Sequence, residues 1–403
     1  MALIVQKYGG SSVASPQKIK AVAKKVMDYH LQGNKMVVVL SAMGEETDRF
    51  AEMACQMQEI PDPREMDVLL STGEQVTVAL FAMAVKEAGL KAVSLLGDQI
   101  RIQTDSMYNK ARIKSIDTKL INDYLDSNNI VAVAGFQGVD ENCNITTLGR
   151  GGSDTTAVAL AASLNADQCE IFTDVDGVYT TDPGVCDMAR KIDRISYDEM
   201  LELSSLGARV LDIRSVGLAK RYNVPIHVRS TFTETEGTWV VEEDETMESM
   251  LVSGVTYSKN EARITITRVP DVPGTASNIF TPISDAGIVV DMIIQNTWSS
   301  EHTDMTFTVP RTDYKRAMQI LEDVVPRIGA EKVSGDERIA KISIVGVGMR
   351  NNSGIATTMF NILYRENINI SMISTSEIKV SCVINEKYTE LAVRALHQGF
   401  GLE

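Results

Sequence analysis

The sequence predicts an α/β fold built on a parallel sheet and followed by a duplicated tail, and two observations carry that prediction. The first is that apolar, β-favouring runs stop where Gly-rich or acidic signatures begin. Leu3-Ile4-Val5 leads into Lys7-Tyr8-Gly9-Gly10-Ser11-Ser12, residues 36–40 into Ser41-Ala42-Met43-Gly44, residues 130–134 into Gly135-Phe136-Gln137-Gly138, and residues 169–172 into Thr173-Asp174-Val175-Asp176-Gly177. Continuous Val/Ile/Leu runs separated by helical stretches read as strands covered on both faces. Ligands of such sheets bind beyond the carboxyl ends of the strands, so these signatures predict one shared site. The second observation is an internal repeat beyond residue 260. Ala262-Arg263-Ile264-Thr265-Ile266 resembles Ala340-Lys341-Ile342-Ser343-Ile344, Pro273-Gly274 resembles Ser353-Gly354, residues 288–293 resemble 368–373, and Asp313-Tyr314 corresponds to Lys387-Tyr388. Each copy reads strand, helix, strand, strand, helix, which fits a pair of ferredoxin-like modules. A duplicated scaffold used only for dimerisation is the plainer alternative.

Between these features the elements follow local signals. Ser15-Pro16 reads as an N-cap with proline at the first helical position, opening a helix toward Tyr29 with Ile19, Val22 and Val26 on one face. A second helix carries Val76, Leu80, Met83 and Ala84, and a third runs from about Asp154 to Leu164. Residues 233–248 crowd Glu234, Glu236, Glu242, Glu243, Asp244, Glu245 and Glu248 with little apolar periodicity, as a solvated linker would.

Composition bounds the function. The 403 residues suggest two or three domains, and 44% hydrophobic residues suffice for real cores. A formal net charge of -15 argues against nonspecific binding to nucleic acid or to anionic membranes, so an anionic substrate needs a local cationic site. No signal peptide is visible, and the longest later apolar stretch, residues 76–85, is too short to span a bilayer. A soluble, cytoplasmic protein is expected. Cys55, Cys143, Cys169, Cys186 and Cys382 contain no CxxC pair and fit reduced packing residues better than disulfides or zinc.

Several short segments carry potential chemistry. Lys7 before Gly9-Gly10 would set an ammonium against phosphate while backbone N–H groups approach, although the chain contains neither GxxxxGK[ST] nor GxGxxG. Gly149-Arg150-Gly151-Gly152-Ser153-Asp154 places a cation, a flexible backbone and a carboxylate ahead of a small-residue helix, and an ordinary N-cap explains only Ser153 or Asp154. Arg150 would fork onto a carboxylate. Ser71-Thr72-Gly73-Glu74 reads equally as a capping box or as a counterion for a substrate ammonium. Residues 173–183 depart from EF-hand spacing because the glycine comes too early, which leaves a nucleotide-facing hairpin. His30, His227, His302 and His397 fall outside these segments and show no ligand spacing, so metal and triad chemistries are not expected.

Taken together, Lys7-Tyr8-Gly9-Gly10-Ser11-Ser12-Val13, residues 149–154, residues 173–183 and the duplicated tail resemble the aspartate kinase family of the amino-acid kinase superfamily, with its paired ACT modules, over essentially the whole chain. The resemblance implies an αβα sandwich around a mainly parallel eight-stranded sheet for residues 1–245. It implies βαββαβ ACT modules at 250–335 and 336–403, the second completed by the strand near 250–260, with the first module inserted into the second. It places Lys7, Tyr8, Gly9, Gly10, Thr173, Asp174, Tyr179, Asp182, Gly184, Arg209 and Val210 at ATP, with Lys7, Asp154 and Arg209 catalytic. It places Ser41, Thr47, Glu74, Phe136, Arg150, Gly151, Gly152, Ser153 and Asp154 around aspartate. Two departures stand out: Asp182-Pro183-Gly184 replaces the usual Asp-Pro-Arg, and Arg209 replaces the usual lysine of Gly-x-Lys-Val, keeping charge but changing its geometry.

The implied reaction moves the ATP γ-phosphoryl group, with Mg²⁺ accompanying ATP, to the side-chain carboxylate of L-aspartate. A carboxylate of pKa ~4 is ionised at neutral pH and needs no general base. Lysine, threonine or both are the implied effectors. A zwitterion needs N–H groups for its carboxylate, which the helix start after Pro273-Gly274 provides, and an anion or carbonyl for its ammonium, which Asp271 or Asp291 provides. The expected effector contacts are Asp271, Gly274, Thr275, Ala276, Asp291, Met292, Gln295 and Asn296, with Ile355, Ala356, Asn369, Ile370 and Ser381 in the second module. A homo-oligomer through the ACT modules is implied, and whether Met247 or Met250 also starts a shorter ACT-only chain, as in some relatives of that family, is left open. A sibling kinase with another acceptor and a catalytically silent ACT regulator remain the alternatives.

Overall fold

The computed structural model describes residues 2–207, 210–244, 247, 251–297, 302–352 and 354–403. The chain forms two compact units, Met1–Tyr179 with Lys191–Met247, and Thr180–Arg190 with Glu248–Glu403. The sequence-based boundary near residue 245 therefore misses an excursion, since residues 180–190 belong to the second unit.

In the first unit the chain runs β1 (Leu3–Tyr8), α1 (Pro16–Leu31), β2 (Lys35–Leu40), α2 (Glu46–Met57), α3 (Pro63–Leu70), α4 (Thr72–Glu87), β3 (Ala92–Leu95), β4 (Gln103–Thr104), β5 (Ile113–Ser115), α5 (Lys119–Asp126) and β6 (Ile130–Ala134). It continues through β7 (Gln137–Val139), β8 (Ile145–Thr147), α6 (Gly152–Leu164), β9 (Gln168–Thr173), β10 (Arg194–Ser196), α7 (Tyr197–Ser205), α8 (Ile213–Tyr222), β11 (Ile226–Ser230) and β12 (Thr238–Val241). Eight strands form one sheet in the order β10-β12-β11-β9-β1-β2-β6-β3. Every neighbouring pair is parallel except β11 and β12. The apolar runs read from the sequence are four adjacent interior strands, β9, β1, β2 and β6. Burial on both faces explains their lack of alternation: every residue from Met36 to Leu40 and from Ile130 to Ala134 is fully buried. On one face Ile4, Val38 and Ala132 pack against Ile19, Val22 and Val26 of α1 and Phe81 and Val85 of α4.

Helix α1 starts as its sequence signals, with the Ser15 hydroxyl accepting from Lys18 N at 3.3 Å. Three local readings are corrected. In α4 the core-facing residues are Gly73, Glu74, Thr77, Val78, Phe81, Ala82 and Val85, whereas Val76 and Met83 of the expected apolar stripe are exposed. The helix is apolar on nearly all sides, so its sequence does not define a face. Residues Pro63–Glu87 are together long and apolar enough to cross a bilayer, unlike the shorter stretch read from the sequence, but Asp67, Gly73, Glu74 and Phe81 face the protein core. The acidic stretch at 233–248 is not wholly linker: Thr238-Trp239-Val240-Val241 forms β12 between β10 and β11, because four β-favouring residues suffice for a strand inside a sheet.

A buried polar network crosses this sheet. Glu170 in β9 accepts from Gln6 Nε2 at 2.6 Å and from Tyr29 OH at 3.4 Å, and pairs with Arg229 Nη1 at 3.4 Å. Tyr8 OH donates to Gln6 Oε1 at 3.2 Å, and the Tyr8 ring stacks on Phe172 at 4.6 Å.

The second unit contains β13 (Gly254–Pro270), α9 (Thr275–Asp285), β14 (Ile293–Thr297), β15 (His302–Val309), α10 (Tyr314–Ile328), β16 (Lys332–Val345), α11 (Ile355–Arg365), β17 (Ile370–Thr375), β18 (Lys379–Asn385) and α12 (Thr389–Gly399). The repeat is thus two βαββα copies on one antiparallel six-stranded sheet, ordered β14-β15-β13-β16-β18-β17. Within the first copy, β14 begins only at Ile293, so most of residues 288–293 precede the strand. The long strands serve both halves: Gly254–Ser258 of β13 pair with Lys341–Val345, while Arg263–Thr267 pair with Lys332–Asp336. Separate cores form around Ile264, Ile279, Phe307 and Leu321 and around Ile342, Met359, Cys382 and Leu396. The excursion 180–190 joins this unit through Val255 N donating to Thr180 O at 2.7 Å, Tyr257 OH donating to Asp182 at 3.0 Å, and the Thr180 hydroxyl 2.9 Å from His397 Nε2.

Removing one member of a buried ion pair strands the other. Arg229→Met should lower the stability of the first unit by about 3 kcal/mol, read as a fall in its chemical-denaturation midpoint.

Candidate active site

Parallel pairing sets Tyr8 opposite both Leu40 and Phe172, and Leu40 opposite Ala134, so the four signature segments leave the sheet at one level. Lys7, one residue before the end of β1, holds its ammonium 2.6 Å from Asp154 Oδ1 on the first turn of α6, with both side chains largely buried. A Cβ at Gly9 would sit 3.5 Å from the Lys7 Nζ, and one at Gly10 would strike Gly44 O at 2.9 Å and Ala42 O at 3.0 Å. Glycine at 10 therefore lets the first turn lie directly against the turn that follows β2, where Gly44 N donates to Gly10 O at 3.0 Å.

Ser41 leaves β2 with its N–H donated to Tyr8 O at 3.2 Å, and Thr47 lies in α2. Glu74 is not part of a capping box. Its Oε1 accepts from Ala42 N at 3.1 Å, and the Ser71 hydroxyl instead donates back to Val68 O at 2.9 Å. The Glu74 Oε2 is buried with no partner among the described residues. Burial pushes its carboxyl up to about 8 despite the backbone N–H groups that pull the other way. Phe136 follows β6 in a left-handed conformation, φ 69°. Its N–H donates to Thr156 Oγ1 at 3.1 Å, and its carbonyl accepts from Leu148 N at 2.8 Å.

The Arg150 loop is shaped by close approach. Gly149 and Gly151 take φ of 76° and 71°, and a Cβ on Gly151 would lie 2.3 Å from the Asp212 Cβ. Gly152 fits against Phe136, and Ser153 against Gly135. Asp212 caps α8 through Arg214 N at 3.0 Å, while Arg214 Nη2 donates to Arg150 O at 3.0 Å. The Arg150 side chain itself is exposed. Lys7, Gly9, Gly10, Ser41, Glu74, Phe136, residues 150–154 and Thr173 are thus on or beside the carboxyl ends of adjacent strands.

Thr173 ends β9 with its hydroxyl donated to Asp174 Oδ1 at 3.0 Å, and Tyr179 bridges to Lys191. Asp182 and Gly184 lie in the second unit, where Asp182 Oδ1 accepts from Gly184 N at 2.8 Å. Arg209 lies outside the described residues, and Val210 directly follows it. Asp67 and Asp212 hold site loops yet carry no local motif, since their partners are distant in sequence: Asp67 bonds residues 42 and 80 positions away, and Asp212 packs on Gly151.

In the second unit, Asp271, Gly274, Thr275, Ala276 and Gln295 line one cavity of about 340 Å³ with Thr303 and Met305. Asn296 and Ile370 line another, beside Arg263 and Thr265. Asp291 departs from the expectation of a free counterion: it pairs with the buried Lys341, which also holds Glu261 at 2.9 Å. Met292 packs with Ile339, Met372 and Val383, Ile355 enters the second core, and Ser381 Oγ meets Ser343 Oγ at 2.7 Å, so apolar burial or an internal partner occupies these side chains. Ala356 and Asn369 lie at the start of α11 and just before β17.

The amino acid kinase family model matches residues 2–230, and an ACT domain model matches 267–325 and 342–400. An aspartate kinase of Pseudomonas putida is 56% identical, covering 100% of this chain and 98% of that protein. An aspartokinase of Helicobacter pylori is 48% identical with complete coverage of both chains, 100% and 100%. The solved structure of E. coli aspartokinase III in complex with aspartate and ADP aligns at a TM-score of 0.80 and 24% identity, covering 98% of this chain and 99% of that one. The same enzyme with lysine and aspartate aligns at 0.76 and 24% identity, covering 99% of each. Those two likenesses show the shared fold, and the full-length identity to the relatives places this chain in the aspartate kinase family.

Proposed function

We propose that the chain transfers the γ-phosphoryl group of Mg-ATP to the β-carboxylate of L-aspartate, giving 4-phospho-L-aspartate, under feedback control by lysine, threonine or both through its ACT modules. The observation that carries the reading is the Lys7–Asp154 pair at 2.6 Å, set at the exit of β1 beside two glycines. Bringing an anion to a polyanion requires charge neutralisation and in-line placement more than proton transfer. Lys7 would meet the phosphates, with Gly9 and Gly10 exposing backbone N–H groups and Asp154 fixing the ammonium. Arg209, with Thr173, Asp174 and Tyr179, would complete the nucleotide contacts of the first unit. Arg150 would take a carboxylate of aspartate, and Glu74, whose Oε2 lacks a partner among the described residues, would take its ammonium.

Mg²⁺ would accompany ATP on its phosphates and neutralise part of their charge. Unpaired cysteines support a cytoplasmic setting. A homo-oligomer through the ACT modules belongs to the same reading. For the effector, the cavity at Asp271 and the start of α9 offers an anion and backbone N–H groups to a zwitterion. Asp271 replaces Asp291 as the counterion, since Lys341 already neutralises Asp291.

Trapping the acyl phosphate with hydroxylamine tests the reaction. Aspartate should give hydroxamate, and a yield only with glutamate or another acceptor would assign a sibling activity. Lys7→Ala and Asp154→Ala should each lower kcat about a hundredfold in folded protein, whereas Arg150→Ala should chiefly raise the KM for aspartate.

Glu74 makes a separate pH prediction. Its folded-state pKa of about 8 lies above the ordinary 4.5, so the stability tied to its protonated form is complete below pH 4.5 and is lost as pH rises to 8. Over that window the loss is about 1.4 kcal/mol per pH unit. Glu74→Gln should flatten this slope in denaturation measured from pH 5 to 8. In the wild type at pH 7, aspartate binding should release a proton, seen as a buffer-dependent binding enthalpy.

For regulation, lysine or threonine should weaken aspartate or ATP by ~1–3 kcal/mol of coupling, and Asp271→Ala should relieve inhibition with uninhibited turnover intact. Calorimetry that detects neither amino acid, singly or together, would remove the regulatory reading.

A further inference from the structure

The segment where α3 meets α4 touches three of the site's loops at once. At its near end is Asp67, a fully buried aspartate whose carboxylate accepts from Asn109 N at 2.9 and 3.0 Å, from Thr147 N at 2.8 Å and from the Thr147 hydroxyl at 2.6 Å. Thr147 is the last residue of β8 and stands three residues before Arg150. Asn109 belongs to the same contact, because a Cβ on Gly149 would strike Asn109 O at 2.7 Å and Ala111 N donates to Thr147 O at 2.9 Å. In the middle of the segment, Ser71 O accepts from Gln137 Nε2 at 2.9 Å, which ties down the residue after Phe136. At its far end Glu74 holds Ala42 N, beside Ser41.

We propose that Asp67 is a positioning residue of the aspartate site, fixing the Arg150 loop to the same helical segment that presents Glu74. The inference rests on the functional reading above. The Asp67 carboxylate is filled by three donors, Asn109 N reaching both of its oxygens, and is sealed from solvent, so it does not touch substrate. Its contribution is geometric: it sets the distance between the cation that meets one end of aspartate and the carboxylate that meets the other. A neutral amide cannot accept from all three donors, because its NH₂ would face an N–H or O–H. Burial pushes the Asp67 carboxyl up while its donors pull it back, as a charge held by directed hydrogen bonds requires. Nucleotide contacts on β1 and β9 do not pass through this segment. Loss of Asp67 should therefore separate the two substrates.

The test uses the full chain and compares wild type, Asp67→Asn, Thr147→Val, Thr147→Ser and Arg150→Ala by steady-state kinetics in both substrates. Asp67→Asn should raise the KM for aspartate about tenfold and leave that for ATP within about twofold, matching the direction of Arg150→Ala. Thr147→Val, which removes one donor, should act in the same direction but less. Thr147→Ser, which keeps the hydroxyl, should retain the wild-type value. An unchanged aspartate KM in folded Asp67→Asn, or equal rises for both substrates, overturns the proposal. If Asp67→Asn does not fold, an aspartate KM unaltered by Thr147→Val overturns it instead. Wild type and Arg150→Ala behaving as expected while Asp67→Asn fails would leave the function standing, whereas wild type inactive toward aspartate would remove both.

Discussion

Parallel register is the constraint from which the site follows. Because Tyr8, Leu40, Ala134 and Phe172 are neighbours across β9, β1, β2 and β6, their chains leave the sheet side by side, and the residues that follow meet without any one loop reaching far. A shift of one residue would carry Lys7 to the other face of the sheet and break its pair with Asp154. The buried strands oppose that shift, since it would unpack apolar side chains on both faces and break the Gln6–Glu170 contact between β1 and β9. The chemistry thus depends on hydrophobic packing well away from the reacting atoms.

Two acidic side chains on one helical segment illustrate how hydrogen bonding divides the roles of like groups. Asp67 and Glu74 are both almost inaccessible to water. Asp67 is surrounded by donors from Asn109 and Thr147, whereas Glu74 has an N–H from Ala42 on one oxygen and no partner among the described residues on the other. The first is a completed contact that holds backbone in place. The second is incomplete without something cationic, and its high proton affinity expresses that incompleteness.

The central strands, the glycine turns and the tandem repeat were legible because each is written in contiguous residues. The Lys7–Asp154 pair could be named from motifs, but its distance could not. What escaped the sequence depended on partners far along the chain. Asp67 looks like any polar residue in a helix until Thr147 folds onto it, Asp212 has no motif beyond its N-cap position, and Lys341 gives no hint that it will claim Asp291. Glu74 looked like a cap because Ser71-Thr72-Gly73-Glu74 has that spacing, yet α3 runs so closely into α4 that Ser71 bonds back to Val68. Of Val76, Leu80, Met83 and Ala84 in α4 only Leu80 and Ala84 pack against the core, because a helix apolar on most sides carries little information about its own orientation.

The shared strands of the second unit have a consequence for how that unit can be divided. Since Gly254 pairs with Val345 and Thr267 with Lys332, the strand that completes each half at the centre of the sheet is supplied by the chain segment that leads into the other. Cutting the chain between the repeats would therefore leave two fragments, each with an unpaired edge and an uncovered core, and no intact module. The pieces are structural halves without being autonomous folding units, and their assembly must wait until residues distant in sequence have come together. A shorter polypeptide that begins before Gly254 would carry everything this sheet requires, whereas one that begins past Ser258 would lack the strand that closes its second half. The position of a start codon in this stretch would thus decide between a self-sufficient ACT protein and an open-edged one prone to pairing with whatever strand it meets.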